Sequence, residues 1–442
     1  MGELLIASSS VDSGIGCWDL HTGADLLRYK SCASPPHGLV CVGHRFLASS
    51  QIRDSGAASI SYWSWSKPQV DVKSFPSETI KPLAANSEGT YIAGGGSSGN
   101  IYFWEVATGR LLKKWNAHLR AVTCLVFSDD SSLIVSASEE GNIKLWSLFM
   151  IFDDYAREQA SHIYEHSFAG YHSGRVTDLA IGLGGGNAIV VSACEDKTCK
   201  VWSLAEGRLL RDVIFPSEID AIVLDPGEQV FYAGGRDHMI YIAALNAESK
   251  PNKNYQRHII GVLSGHSKGI TCLASSSEGN LLLSGSADGE IRVWEPKTHT
   301  NVRTFQHSTG PVNNILVVSR SLSNVHMQTS SRRHGSSSFP PLSKFSNSVD
   351  ENTNNGAIVT LHSTCEVPIN SQYRSAEILE DCIKELQQQG SAASTEMEVE
   401  RLKQECNRHM QMNQQWKKMY DNLHQFCVNE LVDGDQKNTS SS

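Results

Sequence analysis

Three histidines are each followed by an acidic residue 22 to 24 positions later, a pairing that could perform acid–base chemistry. The pairs are His266 and Asp288, His172 and Asp196, and His118 and Glu140. A carboxylate beside an imidazole orients the ring and stabilises its charged form, which is how many general bases are built. An active site is unique in its chain, whereas this pair recurs. The recurrence favours a structural role, and no catalytic residue is predicted.

The residues around each pair form short strand-like runs, seen most clearly in LSGHSKGITCLASSSEGNLLLSGSADGEIRVWEPKTHTNVRTFQ at 263–306. The runs 270–275 and 281–286 are almost continuously apolar, which predicts inner strands packed on both faces. A third strand follows a tight turn at 291–294, and 301–305 alternates as an exposed outer strand does. The unit therefore predicts a four-stranded antiparallel sheet.

A serine and a tryptophan accompany each pair, and the spacing resembles the structural tetrad of WD repeats, whose four side chains hydrogen-bond across a sheet. The predicted tetrads are His266, Ser284 or Ser286, Asp288 and Trp294; His172, Ser192, Asp196 and Trp202; and His118, Ser136 and Trp146, with Glu140 in the place of aspartate and its hydrogen bonds left open. Such a buried, satisfied network fixes strand register. The sheet ending at Trp104 has Ser98 in the acidic position, so we expect it to lack the network.

Strand-ending aromatic residues recur through the first 294 residues, with one alanine in the series. They are Trp18, Trp63, Trp104, Trp146, Trp202, Ala243 and Trp294, separated by steps of 41 to 56 residues. WD repeats have a period of about 40–45 residues, and each repeat forms one blade. The series predicts an all-β fold, a seven-bladed WD-repeat β-propeller, followed by a C-terminal α-helical coiled-coil tail. Propellers are usually platforms rather than catalysts.

The first repeat, within 4–29, supplies only three strands. The apolar run GPVNNILVV at 310–318 has the length needed to supply the fourth and to close the ring, which would remove exposed sheet edges. We therefore predict a propeller domain over 1–318, with a further strand at 357–362 as a possible extension.

Two intervals are longer than the period and predict insertions. The stretch 148–170 is rich in aromatic and aliphatic residues and predicts a surface loop or short helix. The stretch 246–260 is polar and locally basic. Long insertions on a propeller rim often become binding loops, and a solvated excursion is the alternative.

A Ser-rich linker is predicted over 319–370, because its composition is too polar to order throughout. Within it, an apolar patch is predicted to dock on the propeller. The patch consists of Phe339, Pro340, Pro341, Leu342 and Phe345.

The tail at 371–432 is predicted to be helical, and the last residues, 433–442, to be disordered. Two helices are predicted in it, one over 375–389 and a second from about Thr395 to Leu431. In the second helix, a three-four spacing of apolar residues forms a heptad seam with polar interruptions. Its candidate partner-binding residues are Val399, Leu402, Cys406, Trp416, Tyr420 and Leu423. A helix of this kind must bury its stripe, and three arrangements are open: folding back on the propeller, pairing with a second copy to give a homodimer, or docking on another protein.

Other chemistry is not supported by the residue patterns. The glycine triplets 94–96 and 184–186 do not continue into a phosphate-binding motif and predict hairpin turns instead. The eleven cysteines are scattered, and Cys194 with Cys199 predicts two strands of a hairpin rather than a metal knuckle. A net charge of −9 disfavours a dedicated nucleic-acid binder. No cofactor, metal or membrane association is predicted, and an intracellular protein is expected.

Several segments together resemble one WD-repeat family. They include GIGCWDLHTGADLLRYK, SGNIYFWEVATGRLLKKWNAH, NIKLWSLF, the strong last repeat, GPVNN and the late AIVTL. The chain resembles the propeller subunits of Rix/Ipi-type complexes, in particular the plant ROOT INITIATION DEFECTIVE type, and the resemblance covers nearly the whole chain. It implies a non-enzymatic nuclear and nucleolar scaffold that binds sister subunits, the pre-60S particle and an AAA ATPase.

The same resemblance implies a role in ribosome biogenesis, in rRNA processing at internal transcribed spacer 2, and in plants in meristem and organ development. A second hypothesis is a WD-repeat substrate receptor of a ubiquitin ligase, or a signalling adaptor, since propellers with coiled coils also act there.

Overall fold

The computed structural model describes residues 2–319, apart from 12, 44, 52–57, 153–163, 165, 246–257 and 308–309, together with residues 340–345. The chain divides into two compact units, Met1–Val349 and Asp350–Ser442. The predicted strand at 357–362, the helical tail at 371–432 with its partner-binding residues, the segment 433–442 and most of the linker lie outside the described residues.

The described residues form seven four-stranded antiparallel sheets. The strands are β1 (Glu3–Ser9), β2 (Ile15–Asp19), β3 (Asp25–Tyr29), β4 (Leu39–Val42), β5 (Phe46–Gln51), β6 (Ser59–Ser64), β7 (Val72–Ser74), β8 (Ile80–Ala85), β9 (Tyr91–Gly96), β10 (Asn100–Glu105), β11 (Leu111–Asn116), β12 (Val122–Phe127), β13 (Leu133–Ser138), β14 (Ile143–Ser147), β15 (His166–Phe168), β16 (Val176–Ile181), β17 (Ile189–Cys194), β18 (Thr198–Ser203), β19 (Arg208–Ile214), β20 (Ile219–Leu224), β21 (Val230–Gly235), β22 (Met239–Ala244), β23 (Ile259–Ser264), β24 (Ile270–Ser275), β25 (Leu282–Ser286), β26 (Glu290–Glu295), β27 (Thr300–Gln306) and β28 (Val312–Ser319). Helix α1 (Leu148–Phe152) follows β14, and a short 3₁₀ turn spans Gly185–Asn187.

Each sheet is one blade of a ring. Blade 1 has the order β28-β1-β2-β3, and blades 2 to 7 each use four consecutive strands, from β4 to β7 in blade 2 through β24 to β27 in blade 7. The first strand of each blade is innermost, because it contacts the first strands of the two neighbouring blades all the way round. The predicted seven-bladed all-β WD propeller is thereby confirmed.

The burial of the strands follows their position in the blade. β13 is buried at all six positions and β25 at all five, as expected for strands covered on both faces. The outer strand β19 alternates between exposed and covered residues, because only one of its faces packs on the blade. The near-continuous and alternating runs of the sequence therefore mark middle and outer strands.

The hydrophobic core is divided into seven clusters, and each cluster lies between two neighbouring blades. The cluster between blades 7 and 1, for example, joins Leu5 and Trp18 to Leu283 and Phe305. Each blade therefore depends on its neighbours for the burial of its apolar side chains.

The two ends of the described ring meet in blade 1. β28 pairs with β1 in an antiparallel register that places Leu4 opposite Val318 and Ala7 opposite Ile315. The Asn314 amide donates to Ser8 Oγ at 3.1 Å and to the Pro35 carbonyl at 2.8 Å, which ties the closing strand to blade 2 as well. The predicted closing strand is present as β28, which ends at Ser319, one residue beyond the C-terminal end of the predicted run 310–318.

The loops lie on two faces of the ring. On one face, loops from neighbouring blades contact each other: the Gly185 N–H donates to Asp129 Oδ1 at 2.7 Å, and the Leu183 N–H donates to Glu228 Oε1 at 2.5 Å. These loops join the first strand of a blade to the second. The loops between third and fourth strands lie on the same face, because the strands of a blade alternate in direction. These loops include both insertions, the loop that begins with α1 and the loop containing 246–257. We therefore call this side of the ring the insertion face.

The opposite face carries the loops between second and third strands and the connections between blades. The predicted tetrad histidines and acidic residues lie in these loops, so we call it the tetrad face.

The glycine triplet at 94–96 is not a hairpin turn, so that prediction is wrong. These residues end strand β9, and the turn follows them. A Cβ on Gly94 would lie 2.9 Å from the side chains of Ile80 and Trp104, and one on Gly95 would lie 2.6 Å from Pro82. Glycine is needed here because residues of neighbouring strands approach too closely to leave room for a side chain. The second triplet does lie in a turn, where Gly184 has a φ of 106°.

Removing β28 is expected to open the ring. A chain ending at Gln306 would leave the seven residues of β1 as an unpaired inner edge, exposing apolar residues and open hydrogen-bonding groups. We expect it to aggregate and to lose its cooperative thermal transition. A chain ending at Ser319 keeps β28 and serves as the control. Scanning calorimetry and light scattering after gel filtration measure both effects, and a monomeric chain to Gln306 with a cooperative transition contradicts this closure.

Candidate functional site: blade tetrads and the docked segment

Three blades contain a chain of hydrogen bonds that runs from an acidic residue through histidine and serine to tryptophan. The members in blades 4, 5 and 7 are Glu140, His118, Ser136 and Trp146; Asp196, His172, Ser192 and Trp202; and Asp288, His266, Ser284 and Trp294. The acid-to-Nδ1 distances are 3.1, 3.2 and 3.1 Å, and the Nε2-to-Oγ distances are 2.8, 2.8 and 2.7 Å. The indole Nε1 lies 2.8, 2.9 and 2.8 Å from the same hydroxyl.

The direction of each hydrogen bond follows from what the groups can donate. A carboxylate only accepts, so the His266 Nδ1–H donates to Asp288, and Nε2 of the neutral ring accepts from the Ser284 hydroxyl. The Trp294 N–H donates to that hydroxyl. Burial lowers the pKa of His266 and outweighs the opposing effect of Asp288, which keeps the ring neutral.

The serine, histidine and acid are connected as in a hydrolase triad, but the hydroxyl is not available to a substrate. Ser136, Ser192 and Ser284 are fully buried, and each already accepts a tryptophan N–H. A nucleophile must reach the reacting atom, so this arrangement favours structure over catalysis. The cysteine near the second tetrad, Cys194, lies with His172 and Asp196 at metal-ligand spacing, but both of those groups already take part in the tetrad.

The structure settles two points that the sequence left open. Ser284, rather than Ser286, bonds His266 and Trp294, while the Ser286 hydroxyl donates to the Lys268 carbonyl at 3.0 Å. Glu140 takes the place of aspartate without loss of the hydrogen bond to His118. The predicted hairpin at Cys194 and Cys199 is also present, with Ala193 opposite Cys199 across β17 and β18.

Blade 3 has a different polar network, which the sequence reasoning did not find. The carboxylate of Glu78, in the loop before β8, accepts from the Ser98 hydroxyl and the Tyr102 hydroxyl, each at 2.7 Å. Burial raises the pKa of Glu78, but these bonds outweigh it and lower the pKa overall. Gly94 occupies the strand position that serine has in blade 4, so the Trp104 indole has no hydroxyl to bond.

A docked segment, residues 340–345, supplies the missing acceptor. The Trp104 Nε1–H donates to the Ser343 backbone carbonyl at 3.0 Å, and the Ser343 N–H donates to the Gly109 carbonyl at 2.7 Å. A buried indole N–H without a partner would cost about 1–3 kcal/mol. The segment thus completes blade 3 with backbone from a distant part of the chain.

The docked segment is also held by an apolar contact. Leu342 is 6% exposed and packs in the cluster between blades 2 and 3, and its N–H donates to Ser74 Oγ at 2.8 Å. Phe345, predicted as part of the same patch, is 68% exposed. Phe339 lies outside the described residues. Leu342 and the Ser343 backbone therefore carry the docking.

Blade 6 replaces three of the four tetrad members with apolar side chains. Phe215 lies four residues before the inner strand, where blades 4, 5 and 7 have histidine, and Ala233 and Ala243 stand at the serine and tryptophan positions. Phe215 packs on Tyr241 with ring centroids 5.5 Å apart. The acidic position keeps Asp237, whose carboxylate accepts from the Tyr241 hydroxyl and the Met239 N–H, so the joint loss of histidine, serine and tryptophan leaves none of these tetrad positions unsatisfied.

Blade 1 contains a histidine that the sequence reasoning missed. His307 precedes β28 and is 3% exposed, and its Nε2–H donates to the Ala7 carbonyl at 3.0 Å. Burial lowers its pKa. The signal was a histidine shortly before an inner strand, the same placement as in blades 4, 5 and 7.

The insertion face presents exposed apolar side chains. Phe149 on α1 is 70% exposed and Leu183 in the β16–β17 loop is 64% exposed. The helix is anchored by Ile151, which is 3% exposed, and by Phe152, whose ring contacts Phe103 edge-on at 5.4 Å. The prediction for this insertion was a surface loop or a short helix, and its first five residues form a helix that leaves Phe149 free to contact another molecule. No helix in the described part of the chain has the length and apolar character needed to cross a membrane.

Removing the hydroxyl of Ser284 is expected to destabilise the fold more than removing that of Ser286. Ser284→Ala leaves the Trp294 N–H and His266 Nε2 buried without partners, at a cost of about 2 to 4 kcal/mol. Ser286→Ala is the control and should cost about 1 kcal/mol, because Lys268, whose carbonyl accepts from Ser286, is exposed, and Asp288, whose N–H donates to Ser286 at 3.2 Å, is only half-buried. Urea unfolding of both variants measures the difference. Equal losses would contradict the role assigned to Ser284.

Shortening Leu342 is expected to release the docked segment. Leu342→Ala removes buried apolar volume worth about 2 kcal/mol, so hydrogen exchange at the Trp104 indole should become about 30-fold faster. Phe345→Ala removes an exposed ring of the same segment and should leave the exchange unchanged. If the indole exchanges equally slowly in both variants, the segment does not protect it.

The family model described as "WD domain, G-beta repeat" matches residues 109–147, 164–203 and 257–295. These are the three stretches that contain complete tetrads. Recognisable repeats and complete hydrogen-bond chains therefore coincide in this chain.

Curated relatives match over most of the chain. It is 52% identical over 433 residues to "Protein ROOT INITIATION DEFECTIVE 3" of Arabidopsis thaliana, covering 96% of this chain and 98% of that protein. It is 32% identical over 324 residues to "WD repeat-containing protein 18" of Homo sapiens, covering 72% and 73%. It is 23% identical over 355 residues to "Pre-rRNA-processing protein crb3/ipi3" of Schizosaccharomyces pombe, covering 70% and 76%. The resemblance predicted from the sequence is confirmed, and the chain belongs to the WD-repeat family that includes ROOT INITIATION DEFECTIVE 3, WD repeat-containing protein 18 and Ipi3.

Proposed function

We propose that the protein is a non-enzymatic scaffold subunit of a nuclear and nucleolar complex that acts in ribosome biogenesis and pre-rRNA processing. The observation that carries the proposal is the match, across most of the propeller, to relatives named as pre-rRNA-processing proteins. The buried and repeated tetrads support the scaffold role, because their polar groups are used to hold the blades and are closed to substrates.

The finer steps of the proposal concern the large ribosomal subunit. We assign the scaffold to the pre-60S particle, to processing at internal transcribed spacer 2, and to a complex with Rix/Ipi-type sister subunits and an AAA ATPase. In plants this activity would support meristem and organ development, where demand for ribosomes is high. The net charge of −9 favours contacts with protein subunits over a broad contact with RNA phosphates.

We place the main protein-binding surface of the propeller on the insertion face. Exposed Phe149 and Leu183 lie there, and both sequence insertions leave the ring on that side. Exposed aromatic and aliphatic side chains beside long loops are typical of binding surfaces. The tail residues Val399, Leu402, Cys406, Trp416, Tyr420 and Leu423 are proposed as a second attachment point, to a partner protein or to a second copy.

Affinity purification from nuclear extract tests both the proposed function and the placement of the binding surface on the insertion face. The full chain should recover pre-rRNA and precursors of the large subunit. The double variant Phe149→Asp and Leu183→Asp should recover about tenfold less, since hot-spot side chains each contribute more than about 1 kcal/mol. Leu119→Asp is the control, because Leu119 is 87% exposed but follows His118 on the tetrad face.

The outcomes separate the parts of the proposal. Recovery of a cullin adaptor without pre-rRNA would replace the proposed function by the substrate-receptor hypothesis. If the double variant recovers as much pre-rRNA as the unchanged full chain, the insertion face is not the main binding surface. A chain ending at residue 370 tests the tail, and undiminished partners would show that the tail is not an attachment point.

A further inference from the structure

A cluster of histidine, cysteine and aspartate lies where three blades meet across the ring. His37 is in the connection that enters blade 2, Cys124 is in β12 of blade 4, and Asp178 is in β16 of blade 5. Blades 2 and 5 are not neighbours, so His37 reaches over the central opening to meet its partners. These three residues belong to no tetrad and have no part in the proposed function.

The possible ligand atoms of the cluster are close together. His37 Nδ1 lies 3.6 Å from Asp178 Oδ1, and one ligand atom from each residue lies within 4.8 Å of the others. A tetrahedral zinc ion with bonds of about 2.0–2.3 Å holds its ligand atoms roughly 3.3–3.7 Å apart. Small side-chain movements would therefore bring all three into its coordination sphere.

The surroundings orient two of the ligands for a metal. His37 Nε2–H donates to the Thr177 carbonyl at 2.9 Å, so in the neutral ring the lone pair lies on Nδ1, on the side of Asp178. Metal-binding histidines usually donate their other ring N–H to a carbonyl or carboxylate in this way. The Ile222 N–H donates to Asp178 Oδ2 at 2.7 Å and holds the carboxylate, with Oδ1 toward the histidine.

The cluster can be reached from the central opening. The side chain of His37 is 30% exposed and that of Asp178 is 13% exposed, while Cys124 is 1% exposed. A hydrated ion can therefore approach from the side of His37 and Asp178, which are partly exposed, and a water molecule can complete the coordination.

We propose that His37, Cys124 and Asp178 form a site for a divalent transition metal, with zinc as the expected ion. The bound ion joins Nδ1, Sγ and Oδ1, the Cys124 thiol releases its proton to water, and a water molecule takes the fourth position. Binding connects blades 2, 4 and 5 across the opening and so makes the ring harder to unfold.

The repeat itself supplies a matched control for the cysteine. Cys272 is the third residue of β24, as Cys124 is the third residue of β12. Each thiol donates to a backbone carbonyl, Cys124 to that of Thr177 at 3.1 Å and Cys272 to that of Val312 at 3.4 Å. Among the described residues, Cys272 belongs to no group of three metal-binding side chains. Cys272→Ser therefore removes an equivalent thiol outside the proposed site.

Cobalt titration of the metal-free full-length protein tests the proposal. We expect one Co²⁺ per chain with tetrahedral visible bands and a sulfur-to-cobalt charge-transfer band, both removed by added Zn²⁺. Cys124→Ser should abolish the charge-transfer band, and Asp178→Asn should weaken binding about tenfold or more. Cys272→Ser should bind as the unchanged protein does.

Two further measurements guard against misfolding. His37→Gln can keep the hydrogen bond to Thr177 while removing the nitrogen ligand, so it should fold and still lose cobalt affinity. Zn²⁺ should raise the melting temperature of the unchanged protein and of Cys272→Ser, but not that of His37→Gln. Absence of the band in the unchanged protein, or its persistence in Cys124→Ser, overturns the proposal.

Discussion

The stability of this protein depends on hydrophobic packing between blades rather than within them. Each of the seven apolar clusters takes side chains from two neighbouring blades, so every blade is half of two cores. Removing one blade would expose two clusters at once. The antiparallel pairing of β28 with β1 is thus a condition for the whole ring, since it brings the last cluster together.

Given that packing, the hydrogen-bond chains serve to fix strand position, and the blades satisfy the same need by different means. Blades 4, 5 and 7 use a serine hydroxyl between histidine and tryptophan. Blade 3 uses the backbone of the docked segment for Trp104, and blade 6 replaces histidine, serine and tryptophan together while Asp237 accepts from Tyr241. What blades 3, 4, 5 and 7 share is that the N–H of the tryptophan in the third strand has an acceptor.

The sequence predicted the parts of the fold that repeat. The tryptophan period, the burial of the middle strands and the closing strand follow from local patterns that any single blade displays. The non-repeating contacts could not be predicted, because they join distant residues: Glu78 with Tyr102, Trp104 with Ser343, and His37 with Asp178. The glycines at 94–96 were misinterpreted for the same reason, as their need for space comes from a neighbouring strand and blade.

The position of the docked segment also sets an order of events during synthesis. Blade 3 is translated early, yet the acceptor for Trp104 lies at Ser343, 239 residues later in the chain. Blade 1 likewise waits for β28 before its inner edge is covered. The ring therefore cannot reach its final state while residues up to 345 are still being added or are held within the translating ribosome. Until that point a nascent chain exposes the unpaired edge of β1 and the unsatisfied indole of Trp104, two features that favour association with other chains.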